Sequence, residues 1–116
     1  MPLTGGFSTK SLDWVDVSGT DFYLDLVTDY GESAVVSWDA FIYEEHGNGL
    51  AEARIYDATH GIVVQNSEIS TNNPASTLVT SANLAIWRGK NLYRVQIRSQ
   101  KGFYVFFDSG RLKISN

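Results

Sequence analysis

Apolar and polar residues alternate with a period of two through most of this chain, and no apolar spacing of about 3.6 residues persists long enough to make a helix. A chain patterned this way buries one face of each strand and must stack one sheet on another, which restricts it to an all-β fold. In AVVSWDAFIY the alternation places Val36, Trp38, Ala40 and Ile42 on one face and Val35, Ser37, Asp39, Phe41 and Tyr43 on the other. AEARIYD sets Ala51, Ala53 and Ile55 against Glu52, Arg54 and Tyr56, and NLYRVQIRS sets Tyr93, Val95 and Ile97 against Arg94, Gln96 and Arg98. The first set in each case reads as core.

Shorter strand candidates are DWVDV, FYLDLVT, GIVVQ, STLVT, NLAIW, FYVFFD and RLKIS, separated by DYGES, RGKN, QKG and DSG and by the longer polar link STNNPAS. HGNG carries an Asn-Gly pair that accepts positive φ easily, so Tyr43 to Ala51 is expected to be a hairpin. Short strands at this spacing predict a two-sheet antiparallel β-sandwich of jelly-roll type, with residues 12–116 forming one domain. MPLTGGFSTKS does not alternate, so residues 1–11 are expected to form an extended N-terminal arm. Gly5-Gly6 makes that arm flexible, and Leu3 and Phe7 would then gain burial by docking on a neighbouring molecule.

Composition narrows the function classes. The 116 residues contain no cysteine, which removes disulfides, thiol catalysis and thiolate metal sites. A net charge of −4 disfavours a phosphate-tracking nucleic-acid binder. No run approaches a membrane span, and the opening lacks the charged and apolar regions of a signal peptide, so the expectation is a complete cytosolic product with no membrane partner. Apart from Lys10, every charge up to Glu52 is negative, whereas from Arg54 onward cations dominate. Acidic strands pairing with basic strands inside the chain, or complementary surfaces between copies, would both use that asymmetry.

The histidines stand in loops. Asp57 ends the strand RIYD and His60 lies in the link ATHG before IVVQ, where Asp57 bonding the turn backbone and Gly61 taking positive φ explain both residues. No nucleophile or third orienting group accompanies them, so no catalytic residue is assigned. Glu44, Glu45 and His46 could offer ligands to a cation, but alternation sends the two carboxylates to opposite faces, and no metal site or cofactor is assigned. A calcium ion in DVSGTD, around Asp16 and Asp21, is the alternative the residues leave open. The candidate functional face is the outward register of the two expected hairpin partners: Phe41, Tyr43, Glu52, Arg54 and Tyr56. Outward aromatics among charged groups suit a subunit interface, or a glycan that stacks on tyrosine and bonds the flanking groups through its hydroxyls.

Residues 51–115, with the ARIYDATHG hairpin, the SEIST connection, the YRVQI strand and the closing RLKI, resemble a jelly-roll module of bacteriophage virion proteins and of some secreted bacterial proteins. The resemblance implies architecture and setting but transfers no catalytic residue. It implies a non-enzymatic virion protein, a head decoration or fibre component assembled in the host cytoplasm. Such a protein acts by surface complementarity with itself, a trimer being one such homo-oligomer, and with other virion proteins. The alternative is a carbohydrate-binding module, with a glycan as partner.

Overall fold

The computed structural model describes residues 1–3 and 5–116, which fold into two antiparallel sheets packed face to face. In chain order the strands are β1 (Pro2–Leu3), β2 (Phe7–Thr9), β3 (Val15–Asp16), β4 (Phe22–Leu24), β5 (Val35–Glu44), β6 (Ala51–Asp57), β7 (Ile62–Val63), β8 (Ile69–Thr71), β9 (Thr77–Thr80), β10 (Asn91–Ser99) and β11 (Val105–Ser115). A single helical turn, α1 (Leu26–Tyr30), stands between β4 and β5. The first sheet has the order β1-β11-β5-β9, with β2 also on β11. The second has the order β3-β10-β6-β7, with β4 on β10 and β8 on β6. The long strands β5, β6, β10 and β11 belong in turn to the first, second, second and first sheets, so the chain crosses between sheets to wrap one core, in the jelly-roll manner.

The alternation places the core as expected. Val36, Trp38, Ala40 and Ile42 of β5 face Ala51, Ala53 and Ile55 of β6 and Tyr93, Val95 and Ile97 of β10, and all are buried. Trp38 is fully enclosed, and its indole N–H donates to the backbone oxygen of Ser67 at 2.7 Å.

Tyr43 to Ala51 is not a hairpin. Strand β5 bonds to β11 and β9, whereas β6 bonds to β10, β7 and β8, so the segment crosses between sheets. The cause is Glu44, a buried carboxylate that accepts from the backbone N–H of His46 at 2.6 Å and of Gly47 at 2.9 Å and so turns the chain away from β5. Positive φ falls on Gly47, at 72°, and not on the Asn-Gly pair that suggested the hairpin.

The N-terminal residues are not a free arm. Leu3 pairs with Gly110 and Phe7 with Phe107 along the edge of β11. Leu3 is buried in the chain's own core and Phe7 packs against it, so both expected docking residues are already committed within the chain. The glycines that read as flexible are required by a close approach: a Cβ on Gly5 would lie 2.1 Å from the backbone oxygen of Asp108. Gly6, with φ of 91°, donates its N–H to the Phe107 oxygen at 2.8 Å.

Three further differences have local causes. FYLDLVT is divided because the Asp25 side chain accepts from Thr28 N–H and caps α1. FYVFFD and RLKIS form one strand, β11, in which Asp108 is the extra residue of a bulge and not the start of a turn. NLAIW contributes only an isolated bridge between Gln65 and Ala85.

Trp38→Ala should cost about 3–5 kcal/mol, measured by urea unfolding, a large part of the roughly 5–15 kcal/mol expected for such a domain. Burial pushes the Tyr93 phenol above its ordinary value, with the charges of Asp57 and Asp25 adding and the Asn91 hydrogen bond opposing. The neutral phenol is therefore the form the fold favours. Its contribution is complete below about pH 10 and is lost as pH rises from there through the raised value. Melting curves across that range should fall more steeply for the wild type than for Tyr93→Phe.

Candidate functional site

Because β5 and β6 lie in different sheets, the five residues expected to form one face are divided. Phe41 and Tyr43 project from the outer face of the first sheet; Glu52, Arg54 and Tyr56 project from the outer face of the second.

The second-sheet face is occupied by its own side chains. Arg54 and Arg98 both stack on Trp14, at 4.1 and 4.7 Å from the ring centroid. Arg98 pairs with Glu52 at 3.1 Å, and Arg54 Nε donates to Gln96 Oε1 at 2.9 Å. Burial holds the Arg54 guanidinium below its ordinary value, opposed by Glu68 and reinforced by Arg98. Asp16 accepts from Gln96 at 2.9 Å and from Arg94 at 3.2 Å, and Arg94 Nε lies 3.4 Å from Asp21. The positive charge that calcium would bring to Asp16 and Asp21 is thus already supplied by Arg94. Among the described residues no three His, Cys, Asp or Glu side chains gather to hold a metal ion. The acidic first half and basic second half meet here within one chain, through β3, β6 and β10.

The first-sheet face is open. A groove of about 240 Å³ is lined by Asp39, Phe41, Leu78, Ser109, Gly110 and Arg111. Its floor follows from register: Phe41 of β5 has Leu78 of β9 on one side and Ser109 of β11 on the other, so a small residue lies beside an aromatic one. Phe41, on a central strand, and Leu78, on the edge strand β9, are 41% and 46% exposed, large values for apolar groups. Asp39 is buried although it points outward, and both its oxygens accept from Arg111 Nε, at 3.1 and 3.3 Å. Lys113 Nζ stands 3.7 Å from the same carboxylate. The terminal nitrogens of Arg111 have no protein partner among the described residues, so Asp39 orients the guanidinium through Nε alone and leaves the terminal donors unused. Beyond the groove the aromatic surface continues, with Tyr43 stacked on Phe106 at 4.5 Å and Tyr104 tilted against Phe106 at 6.3 Å.

The Asp57–His60 segment forms a hairpin link between β6 and β7. Asp57 is fully buried, with one oxygen accepting from His60 N–H at 3.0 Å and the other 2.8 Å from His60 Nδ1. Gly61 takes positive φ, at 70°, and bonds back to the Asp57 carbonyl. One contact had no signal in the local sequence: the His60 ring stacks on Trp87, 27 residues later, at 4.8 Å between centroids. Leu78, Ser109 and Arg111 were likewise missed, since only the pairing of β9 and β11 with β5 brings them beside Phe41.

The fold and this geometry define a two-sheet antiparallel β-sandwich with an open aromatic groove on one sheet. No family model and no curated protein matches the chain by sequence. Among solved structures it is similar to the carbohydrate-binding module CBM36 in complex with calcium and xylotriose. The TM-score is 0.52 over 93% of this chain and 98% of that one, at 8% sequence identity, so the likeness is one of fold.

His60→Ala removes one of two groups that satisfy the buried Asp57 carboxylate. It should therefore lower the unfolding free energy by about 1–3 kcal/mol, more than an ordinary loop substitution. Comparison of urea midpoints with Ser18→Ala, an exposed turn position, as a control checks this.

Proposed function

We propose that the chain is a non-catalytic carbohydrate-binding domain whose glycan lies in the groove on the first sheet. The observation that carries the reading is the groove itself: an exposed aromatic ring beside a charged group whose position is fixed from below. A pyranose presents C–H groups on its faces and hydroxyls around its rim, so it needs an apolar floor and lateral donors and acceptors. Phe41 and Leu78 supply the floor; Arg111, Lys113 and the Ser109 hydroxyl stand at the side. At about 240 Å³ the groove is smaller than the roughly 300–1,000 Å³ typical of small-molecule pockets and suits a single ring of a longer chain. The solved neighbour of like fold carries a xylose oligosaccharide, which supports this ligand class. Both oxygens of the Asp57 carboxylate are engaged by His60 in its own turn, so the reading includes no bond-breaking step.

Titration calorimetry with the trisaccharides of xylose, glucose and N-acetylglucosamine, and with the acidic trisaccharide of galacturonate, should find at least one that binds. Phe41→Ala should weaken it by about 1–2 kcal/mol, roughly five- to thirtyfold, with an unchanged melting temperature. Failure of all four to bind, together with a sedimenting oligomer that Phe41→Ala dissociates, would replace this reading with a subunit interface.

A further inference from the structure

We infer that Trp87 is the platform of a second sugar-binding site, at the end of the sandwich where β6 and β10 meet their loops, separate from the groove. This inference rests on the reading of the chain as a glycan binder.

Trp87 is 54% exposed, the most exposed of the three tryptophans, since Trp38 is enclosed and Trp14 is half-buried under two arginines. Exposure alone would say little, but this ring is held in place. It stacks on His60 with an interplanar angle of 25°, and His60 is itself fixed by the buried Asp57 through the ring Nδ1 and the backbone N–H. The loop that carries the tryptophan is tied down by the buried Asn91, whose amide reaches the backbone oxygens of Trp87, Arg88 and Gly89, each at 3.3 Å. The neighbouring Leu92 N–H donates to the Thr59 hydroxyl at 2.8 Å, joining the two loops. A platform fixed in this way loses little conformational entropy when a ligand settles on it.

Groups next to Trp87 in space or in sequence suit a sugar. With Nδ1 engaged by Asp57, His60 Nε2 is left for a ligand. Arg88 and Glu32 form a pair at 3.0 Å in which both side chains are about three-quarters exposed. The pair offers planar donors and acceptors that can bridge adjacent hydroxyls. Trp87 rests on His60 and still keeps 54% of its surface exposed, which leaves ring area on which one pyranose can stack.

The same four trisaccharides, titrated into the full chain, test the site through stoichiometry and through iodide quenching of tryptophan fluorescence. Two equivalents should bind, and saturation should protect Trp87 from iodide. Trp87→Ala should remove one equivalent and leave the other, and Phe41→Ala should leave the equivalent that protects Trp87. Trp87→Phe, which keeps an aromatic face, should retain both, showing that loss in the alanine variant is loss of the platform. A single equivalent abolished by Phe41→Ala, with quenching unaffected by ligand, would overturn this inference and leave the proposed function standing. Binding lost in Trp87→Ala alone would support the platform and remove the groove. No binding of any trisaccharide would overturn both, and protection of Trp87 by adenosine monophosphate but by no sugar would overturn the sugar assignment.

Discussion

The two sheets are joined through the middle of the core by the bond from the Trp38 indole N–H to the Ser67 backbone oxygen. Trp38 belongs to β5 in the first sheet, and Ser67 is bound to β6 in the second. The Ser67 hydroxyl accepts from Ile55 N–H at 3.0 Å and lies 2.6 Å from the Val64 oxygen. A large aromatic group in the middle of the core thus carries a polar contact across the sandwich, in surroundings where an unbonded N–H would be expensive. That contact ties β5 over β6, and the alternation along β5 then leaves Phe41 and Tyr43 on the outer surface.

The outer surface of the first sheet depends next on β11, which pairs with β5 from Val105 to Ser115. Its bulge at Asp108 keeps the strand continuous while shifting the register, so that Ser109 and not a larger side chain stands beside Phe41. The bulge also explains the glycines near the N-terminus, because Gly5 passes against the Asp108 backbone at a distance no side chain tolerates. The groove and the N-terminal strands are two consequences of one irregularity in β11.

The two sheets differ in how much of their outer charge they satisfy themselves. On the second, Trp14 lies under two arginines, and Glu52, Asp16 and Asp21 each have a cationic partner. On the first, Asp39 serves to orient Arg111, and Phe41 and Leu78 have no cover. This difference is why the proposed binding face is placed on the first sheet. The Trp87 platform stands at the sandwich end, where its support comes from a turn that would otherwise have only a structural role.

What the sequence determined by itself was everything carried by a period of two: the all-β class, the inward residues of β5, β6 and β10, and the hairpin link after Asp57, whose side chain bonds its own turn. These are local properties, set by alternation and by bonds across three or four residues. Tertiary structure alone decided which strands are neighbours. The Asn-Gly pair after Tyr43 carried a hairpin signal, but the buried Glu44 carboxylate turned the chain into the opposite sheet and placed Phe41 and Tyr56 on opposite surfaces. Gly5-Gly6 had the same composition as a flexible arm, and only the nearby β11 backbone gave it a conformation to adopt. Arg111 and Leu78 came to Phe41, and Trp87 to His60, through pairings distant in sequence. Such contacts form where burial of the whole inner face is greatest, a sum over both sheets that no short segment contains.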